Sequence, residues 1–478
     1  MIFDLNIKNR ESISDLLYDV CIIGAGAAGI TIANELGRSG LKVALIEGGS
    51  KEFTEESQDI YKGKNTGDPY YPLDVTRLRY LGGSTNHWGG MCRTFEKIDF
   101  KRDYLGEEYK WPINYEELSK YIDDACKILE ISNDFEYLDS EIKNVKPIKY
   151  QYSNVRFKSK YQSHLINSTN ISLFINSNLT DIDGDNETVK TIKIQSYTNN
   201  FLSIKAKKFV LALGGIENSR YLLWFKKKYS DKYFDTTTPI GKYWMEHPAF
   251  TLGRAFVKNS AYVKQYYSLK DEPQKNSKIL SCAFRMQGAS SSETKQMIKN
   301  LICVAPTFGQ KIAKLVDKNF VCGIKFRAAW EQSPADMSSV SLTNKTDRFG
   351  ISQANLTWIK NTLDRKTIKE SIKVFNEWFL NDDIGRIQLD NWLVNDLNYP
   401  ENDELGGQHH MGGTRMSDNS KYGVVDKNCK VFGSKNLYIA GSSIFVTGGH
   451  NNPTLPIVQF SLRLICDLSL ALHGAKVR

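Results

Sequence analysis

The chain has 478 residues, 63 basic and 54 acidic side chains, a net charge of +9 and a hydrophobic share of 41%. That length exceeds one simple core and predicts two domains, and the apolar share excludes a disordered chain. The charges are interleaved, and clusters such as Lys226, Lys227 and Lys228 read as solvated helix surface, so no nucleic-acid partner is expected. Eight cysteines occur without CxxC, CxxCH or a Cys/His spacing suited to a metal, so no metal site is expected and a reducing compartment is. Residues 1–17 lack the apolar core of a secretory signal, and no stretch reaches the length of an apolar membrane span. The most apolar segment, 455–472, is interrupted by Gln459, Arg463 and Asp467 and reads as a packed helix. The expected location is the cytoplasm.

In chain order, the first element is a hydrophobic strand over 19–23 that enters a glycine turn at Gly24, Gly26 and Gly29. A helical stretch and a second strand over 41–46 follow, closing on Glu47. Gly24 permits the tight turn, Gly26 lets a pyrophosphate approach the backbone, and Gly29 lets the helix pack close on the strand. The helix N-terminus offers free N–H groups and a positive dipole end, and Glu47 stands where an acid would accept both ribose hydroxyls. The order strand, turn, helix, strand, acid predicts a dinucleotide site.

A long tyrosine-rich passage through Tyr61, Tyr70, Tyr71 and Tyr80 then leads to the run from Gly82 to Gly90; a connection of that length is usually functional. Asn114 with Glu117 three residues later predicts a capped helix over 114–129. Short β-type runs are expected over 171–194 and 201–211, with a turn at Asp183, Gly184 and Asp185. The strand over 209–213 enters a second glycine turn at Gly214 and Gly215, and a helix follows through Arg220 and Leu223. Beyond Gly241 come further strands, such as 354–359, and an amphipathic helix over 367–380. The end of the chain returns to a strand over 437–440, Gly441, a glycine-rich loop and a final helix. Strand-to-glycine turns at both ends imply a discontinuous cofactor domain (1–247 and 403–478) with a substrate domain, mainly 248–402, inserted in it.

Taken together, four blocks resemble the glucose–methanol–choline (GMC) oxidoreductases, which depend on FAD: 24–47, 82–90, 211–218 and 409–454. The resemblance implies an α/β fold, a doubly wound, Rossmann-like FAD-binding domain with an inserted α+β substrate domain on an antiparallel sheet. It also implies cofactor contacts from Ala27, Ala28, Gly82, Gly83, Ser84, Asn86, His87, Trp88, Gly89, Ala212, Gly214, Gly441, Ser442, Asn452, Pro453 and Thr454, beside the residues of the first turn. This chain is shorter than many members, so insertions that shape an access channel are expected to be reduced.

Oxidising an alcohol requires a base near neutral pKa for the hydroxyl proton while a hydride leaves for the flavin, and histidine suits that task. The family spacing His-x-x-Gly-x-x-x-Met selects His409, with His410 as the fallback; Gly413 stands where the family has threonine. Asn452, before Pro453 and Thr454, matches a position for a second polar group beside the flavin, where its amide would orient the substrate oxygen and stabilise developing charge. The following helix N-terminus would favour an anionic reduced flavin. His450 lies close by with its role open. His87 resembles the histidine that pyranose oxidase links covalently to FAD, which leaves two roles: a covalent link, or packing against the ring. Glu246, His247 and Pro248 resemble a junction between domains, with His247 structural; Glu217 and Asn218 fit either a helix start or a substrate-facing loop.

The expected function is FAD-dependent oxidation of a CH–OH group in a small polyol, a sugar, glycoside or amino-sugar, with oxygen or a separate redox partner as electron acceptor. The same fold hosts two other classes, a lyase in which FAD is structural and a flavoprotein subunit that passes electrons to a partner.

Overall fold

The strand Leu17–Ile23 forms from a run of apolar and β-branched residues, and from Val20 to Ile23 it is buried in the computed structural model, which describes residues 1–7, 16–136, 142–287, 324–401 and 407–473. The 402/403 domain boundary and residues 8–15 of the N-terminal segment lie outside the described residues. Leu17–Ile23 runs parallel to Val43–Ile46 on one side and Phe201–Leu211 on the other. Ile171–Ile175 and Ile2–Asp4 continue the parallel sheet beyond Val43–Ile46, and Leu437–Ile439 joins Phe201–Leu211, also parallel. An antiparallel pair, Thr188–Gln195 and Asn178–Asp185, completes the eight strands. Parallel strands buried on both faces need continuous apolar runs, which is the pattern of Val20 to Ile23 and of Val43–Ile46.

A second sheet of six strands is antiparallel throughout, in the order Gly385–Leu389, Ala249–Val257, Ile324–Trp330, Cys282–Gln287, Tyr266–Leu269, Val145–Ile148. The helix Thr362–Asn381 lays Ile368, Ile372, Phe375 and Phe379 into the core of this sheet. It begins before the expected residue 367, because Asn361 caps it and Asp364 closes a capping box. A small third sheet pairs Ser339–Thr346, Ser352–Trp358 and Lys64–Gly67. The structure is thus an α/β doubly wound sheet with an antiparallel substrate-type unit.

Three local expectations change. The helix over 114–129 is two helices, Tyr115–Ser119 and Ile122–Leu129; the Asn114–Glu117 capping box is present. The turn expected at Asp183 to Asp185 lies one step later: Asn178–Asp185 is strand, and Asn186 and Glu187 take the left-handed conformations at φ 36° and 65°. The final helix, Thr454–His473, contains the one stretch among the described residues long and apolar enough to cross a membrane, Thr454–Leu472, of mean hydropathy 1.6 with 61% of its most apolar window buried. The polar residues that interrupt it find partners inside the protein. Gln459 bonds Thr94 at 3.1 Å, and Arg463 lies 3.6 Å from Glu117. Leu455, Val458, Leu464 and Leu468 are buried in the main core, so it is a core helix.

Candidate active site

The carboxyl ends of four parallel strands meet on one cavity of about 510 Å³, and each strand is followed within about three residues by a glycine or acid that lines it. Leu17–Ile23 delivers Gly24, Val43–Ile46 delivers Glu47, Phe201–Leu211 delivers Ala212 and Gly214, and Leu437–Ile439 delivers Gly441. Ligands bind at this edge of an open α/β sheet. A Cβ built on Gly26 meets nothing within 4 Å, so the backbone there is open to the cavity at the N-terminus of the helix Ala27–Arg38. Glu47 is buried; its Oε2 accepts from the N–H of Ala25 at 3.0 Å and its Oε1 from that of Gly49 at 2.8 Å, which holds the acid at the turn.

Most of the expected residues are brought together here. Gly24, Gly26, Ala27, Ala28, Glu47, Gly83, Ser84, His87, Trp88, Gly89, Ala212, Gly214, His409, His410, Gly441, Ser442, Asn452, Pro453 and Thr454 all line the cavity. Gly29, Gly82 and Asn86 do not. Gly29 packs the helix on the turn, where a Cβ would stand 1.9 Å from the carbonyl oxygen of Gly24. Gly82 is left-handed at φ 94° and donates to Ala25 at 2.8 Å, while Asn86 donates to the Leu81 carbonyl at 2.9 Å. All three shape the wall from behind.

The neighbours left open by the sequence also fall into place. His450 is buried outside the cavity, 3.8 Å from Glu96. Glu217 pairs with Arg220 at 2.8 Å and with Arg77 at 2.9 Å. Asn218 accepts from the N–H of Leu213 and donates to the Ala440 carbonyl and Ser443, tying two strand ends together. Arg77, Arg79 and Tyr61 line the cavity without having been anticipated. Arg77 lies 4.0 Å over the Tyr61 ring, and Arg79 donates to the Tyr197 hydroxyl at 2.7 Å. The alternation Arg77, Leu78, Arg79 just before the glycine run was the available signal.

The histidines form a connected group. His409 Nδ1 lies 2.8 Å from His247 Nδ1, and His247 Nε2 lies 2.8 Å from the Gly449 carbonyl oxygen. The carboxylate of buried Glu246 accepts from the backbone N–H of His247 at 2.8 Å, from that of His409 at 2.8 and 2.9 Å, and from the Tyr70 hydroxyl at 2.7 Å. His410 Nε2 is 3.1 Å from the same hydroxyl. Glu246, His247 and His409 converge closely enough to be considered for a cation. Two imidazole nitrogens on one tetrahedral zinc would stand about 3.3 Å apart; the 2.8 Å here is a hydrogen bond, and the carboxylate is taken up by N–H donors. Burial pushes His409 well below its ordinary value, with His247 and His410 adding to the effect; it takes His410 down to about 3 and His247 to about 4. Burial pushes Glu246 up to about 7 against its hydrogen bonds.

A glycine-rich dinucleotide turn at the edge of a doubly wound sheet, with neutral histidines at the far wall of the same cavity, defines a nucleotide-cofactor oxidoreductase. The family model described as GMC oxidoreductase matches residues 334–461, and one described as lycopene cyclase protein matches 19–156, the segment with the dinucleotide turn. The chain is 25% identical to a 2-methyl-1,2-propanediol dehydrogenase of Mycolicibacterium austroafricanum across 93% of its own length and 94% of that protein's. It is 30% identical to the paromamine 6'-oxidase of Streptomyces fradiae over 124 residues, 23% of this chain and 22% of that one. Among solved structures, a formate oxidase shares the fold at TM-score 0.58 and 17% identity, covering 97% of this chain and 100% of that one. A pyridoxine 4-oxidase from Mesorbium loti does so at 0.59 and 13%, covering 94% and 98%. Residues 334–461 thus match a GMC oxidoreductase domain, and the chain is an oxidoreductase similar along nearly its whole length to a dehydrogenase.

Proposed function

We propose that this enzyme oxidises a CH–OH group of a polar polyol, a sugar, glycoside or amino-sugar, with FAD in the 510 Å³ cavity and His409 as general base. The residues present fit FAD: the open backbone at Gly26, the helix N-terminus beside it and Glu47 suit a dinucleotide, as does the wall of His87, Trp88 and Asn452. When bound, FAD supplies the acceptor for the hydride that leaves the carbinol carbon. The chain's own part is the proton. His409 takes it from the substrate hydroxyl as the C–O bond becomes a carbonyl, and becomes imidazolium; Asn452 stabilises charge on the oxygen.

The observation that carries this reading is the neutral His409, half-buried with an edge on the cavity wall that also holds Asn452. His410 is the weaker candidate because its Nε2 faces the Tyr70 hydroxyl and its ring is tilted against Trp244. The test is His409→Ala, which should keep its flavin and lose roughly two to four orders of magnitude in turnover. Near-normal turnover would remove His409 from the role and promote His410.

The polyol assignment is supported by the short match to paromamine 6'-oxidase. The long match to 2-methyl-1,2-propanediol dehydrogenase favours a second reading, a small aliphatic diol, and both classes belong in the substrate screen. His87 stands on the cavity wall, and acid precipitation decides its link to the cofactor: flavin retained in the pellet means a covalent bond, flavin in the supernatant means packing alone. The six described cysteines are free, which supports the cytoplasm as the site of action. Oxygen or a separate redox partner takes the electrons.

A further inference from the structure

We propose that His247 is a positioning residue: it fixes the proton of His409 on Nδ1 and so leaves the Nε2 lone pair free to act as the base. The inference rests on the assignment of His409 as base and names what orients that base.

The argument starts from one backbone carbonyl. A carbonyl oxygen only accepts, so the 2.8 Å contact between His247 Nε2 and the Gly449 oxygen requires the His247 proton on Nε2. His247 is 4% exposed and held neutral by burial, so its Nδ1 carries a lone pair. That lone pair faces His409 Nδ1 at 2.8 Å, and the bond forms only if His409 Nδ1 is the donor. A neutral imidazole has one proton, so Nε2 of His409 is then the unprotonated nitrogen. Proton placement thus passes from Gly449 through His247 to His409.

Glu246 makes the arrangement rigid. Its carboxylate accepts the backbone N–H groups of both His247 and His409, so two residues 162 positions apart in sequence are clamped at the backbone as well as joined ring to ring. The same carboxylate sets the neighbouring histidine the opposite way. Tyr70 donates its hydroxyl proton to Glu246, so the Tyr70 oxygen accepts from His410, which places the His410 proton on Nε2. Adjacent histidines therefore carry their protons on different nitrogens, and Nε2 is a lone-pair site in His409 alone of the two.

Two near-isosteric variants separate this role from packing. In His247→Asn the side-chain oxygen sits near the position of Nδ1 and keeps an acceptor for His409; in His247→Gln the amide reaches the position of Nε2, keeping the bond to Gly449 and losing that acceptor. The holoenzyme is labelled with ¹⁵N-histidine and its ring nitrogens are read by long-range ¹H–¹⁵N NMR, with the His409 signals assigned by their loss in His409→Ala. In parallel, the rate of flavin bleaching by substrate is followed in stopped flow. The wild type should show His409 protonated on Nδ1 and bare on Nε2. His247→Asn should keep that pattern with a bleaching rate within about tenfold, whereas His247→Gln should lose it and fall roughly 10- to 100-fold with unchanged flavin content, part of the general-base contribution. His409 protonated on Nε2 in the wild type overturns the proposal, as do equal losses in the two variants with the tautomer unmoved. The base assignment fails separately, by near-normal turnover in His409→Ala whatever the tautomer.

Discussion

Two glycines of the first turn, Gly26 and Gly29, should respond to the same added methyl in opposite ways. At Gly29 the Cβ would lie 1.9 Å from the Gly24 carbonyl oxygen, where real contacts almost never fall below 3.0 Å, so strand turn and helix must separate. Helix propensity alone would credit Ala there with about 1 kcal/mol, but overpacking against backbone costs about 1–3 kcal/mol or more, and the displacement needed puts this site at the upper end. Gly29→Ala should therefore be a net destabilisation of about 1–2 kcal/mol. At Gly26 the Cβ meets nothing, and its φ of −88° suits any residue. Losing glycine at a helix N-cap costs a few tenths to about 1 kcal/mol, and the stiffer unfolded chain returns about 0.4–1 kcal/mol, so apo stability should be nearly unchanged. The methyl projects into the cavity, and FAD occupancy should fall. The assay is thermal unfolding of the apoproteins together with flavin absorbance per chain after purification with added FAD. An apo Gly29→Ala protein as stable as wild type, or a Gly26→Ala protein that fills with FAD normally, would refute the reasoning about close approach.

Arg102 is buried between Asp99 at 2.9 Å, Glu331 at 2.6 Å and Ser281 at 2.6 Å, one cation against two carboxylates. Arg102→Met should cost about 3–5 kcal/mol by denaturant unfolding because it strands both acids, whereas Glu331→Gln leaves a balanced pair and should cost no more than about 1–3 kcal/mol; equal losses would contradict that charge count. Burial disfavours the imidazolium of His247, His409, His410 and His450, lowering all four, so they stay neutral as pH falls. In an NMR titration from pH 8 down to the ordinary histidine value of about 6.5 the ring ¹⁵N shifts of all four should stay those of neutral imidazole, even as Glu246 titrates beside them, and an imidazolium midpoint at or above 6.5 for any of them would count against their burial. Trp88 donates to the Val155 carbonyl at 2.8 Å, anchoring the His87 segment, so Trp88→Phe should raise the rate of flavin loss on dilution where Trp88→Ala raises it further; no change in either would detach that segment from cofactor retention.

The parts of the site legible in the sequence are those whose requirement is local. Gly24, with φ 108°, and the apolar run before it state a strand entering a turn in a few consecutive residues, and the order strand, turn, helix, acid needs no tertiary information. Gly29 packs the helix on the turn as its place in the motif requires, while Gly82 and Asn86, expected beside the cofactor, stand behind the cavity wall, because a motif shows that a residue shapes a turn without showing which way its atoms face. Arg77, Arg79 and Tyr61 reach the cavity from the long connection after Glu47, whose path no periodicity fixes. The link between His247 and His409 joins positions far apart in sequence through a domain junction, and only the fold brings them within 2.8 Å. The misplaced turn at Asp183 has the same cause on a smaller scale: Gly184 continues the strand, and Asn186 with Glu187 supplies the left-handed pair.

The central claim is that a bound flavin here accepts hydride from an alcohol. The direct measurement is the visible flavin spectrum of the purified holoenzyme without oxygen, as sugars, amino-sugars, glycosides and small diols are added one at a time. Bleaching by one of these classes, abolished on the same timescale in His409→Ala, is the predicted result. A flavin that dithionite bleaches and none of these alcohols does would contradict the account and return the chain to a lyase, with the flavin serving only as structure.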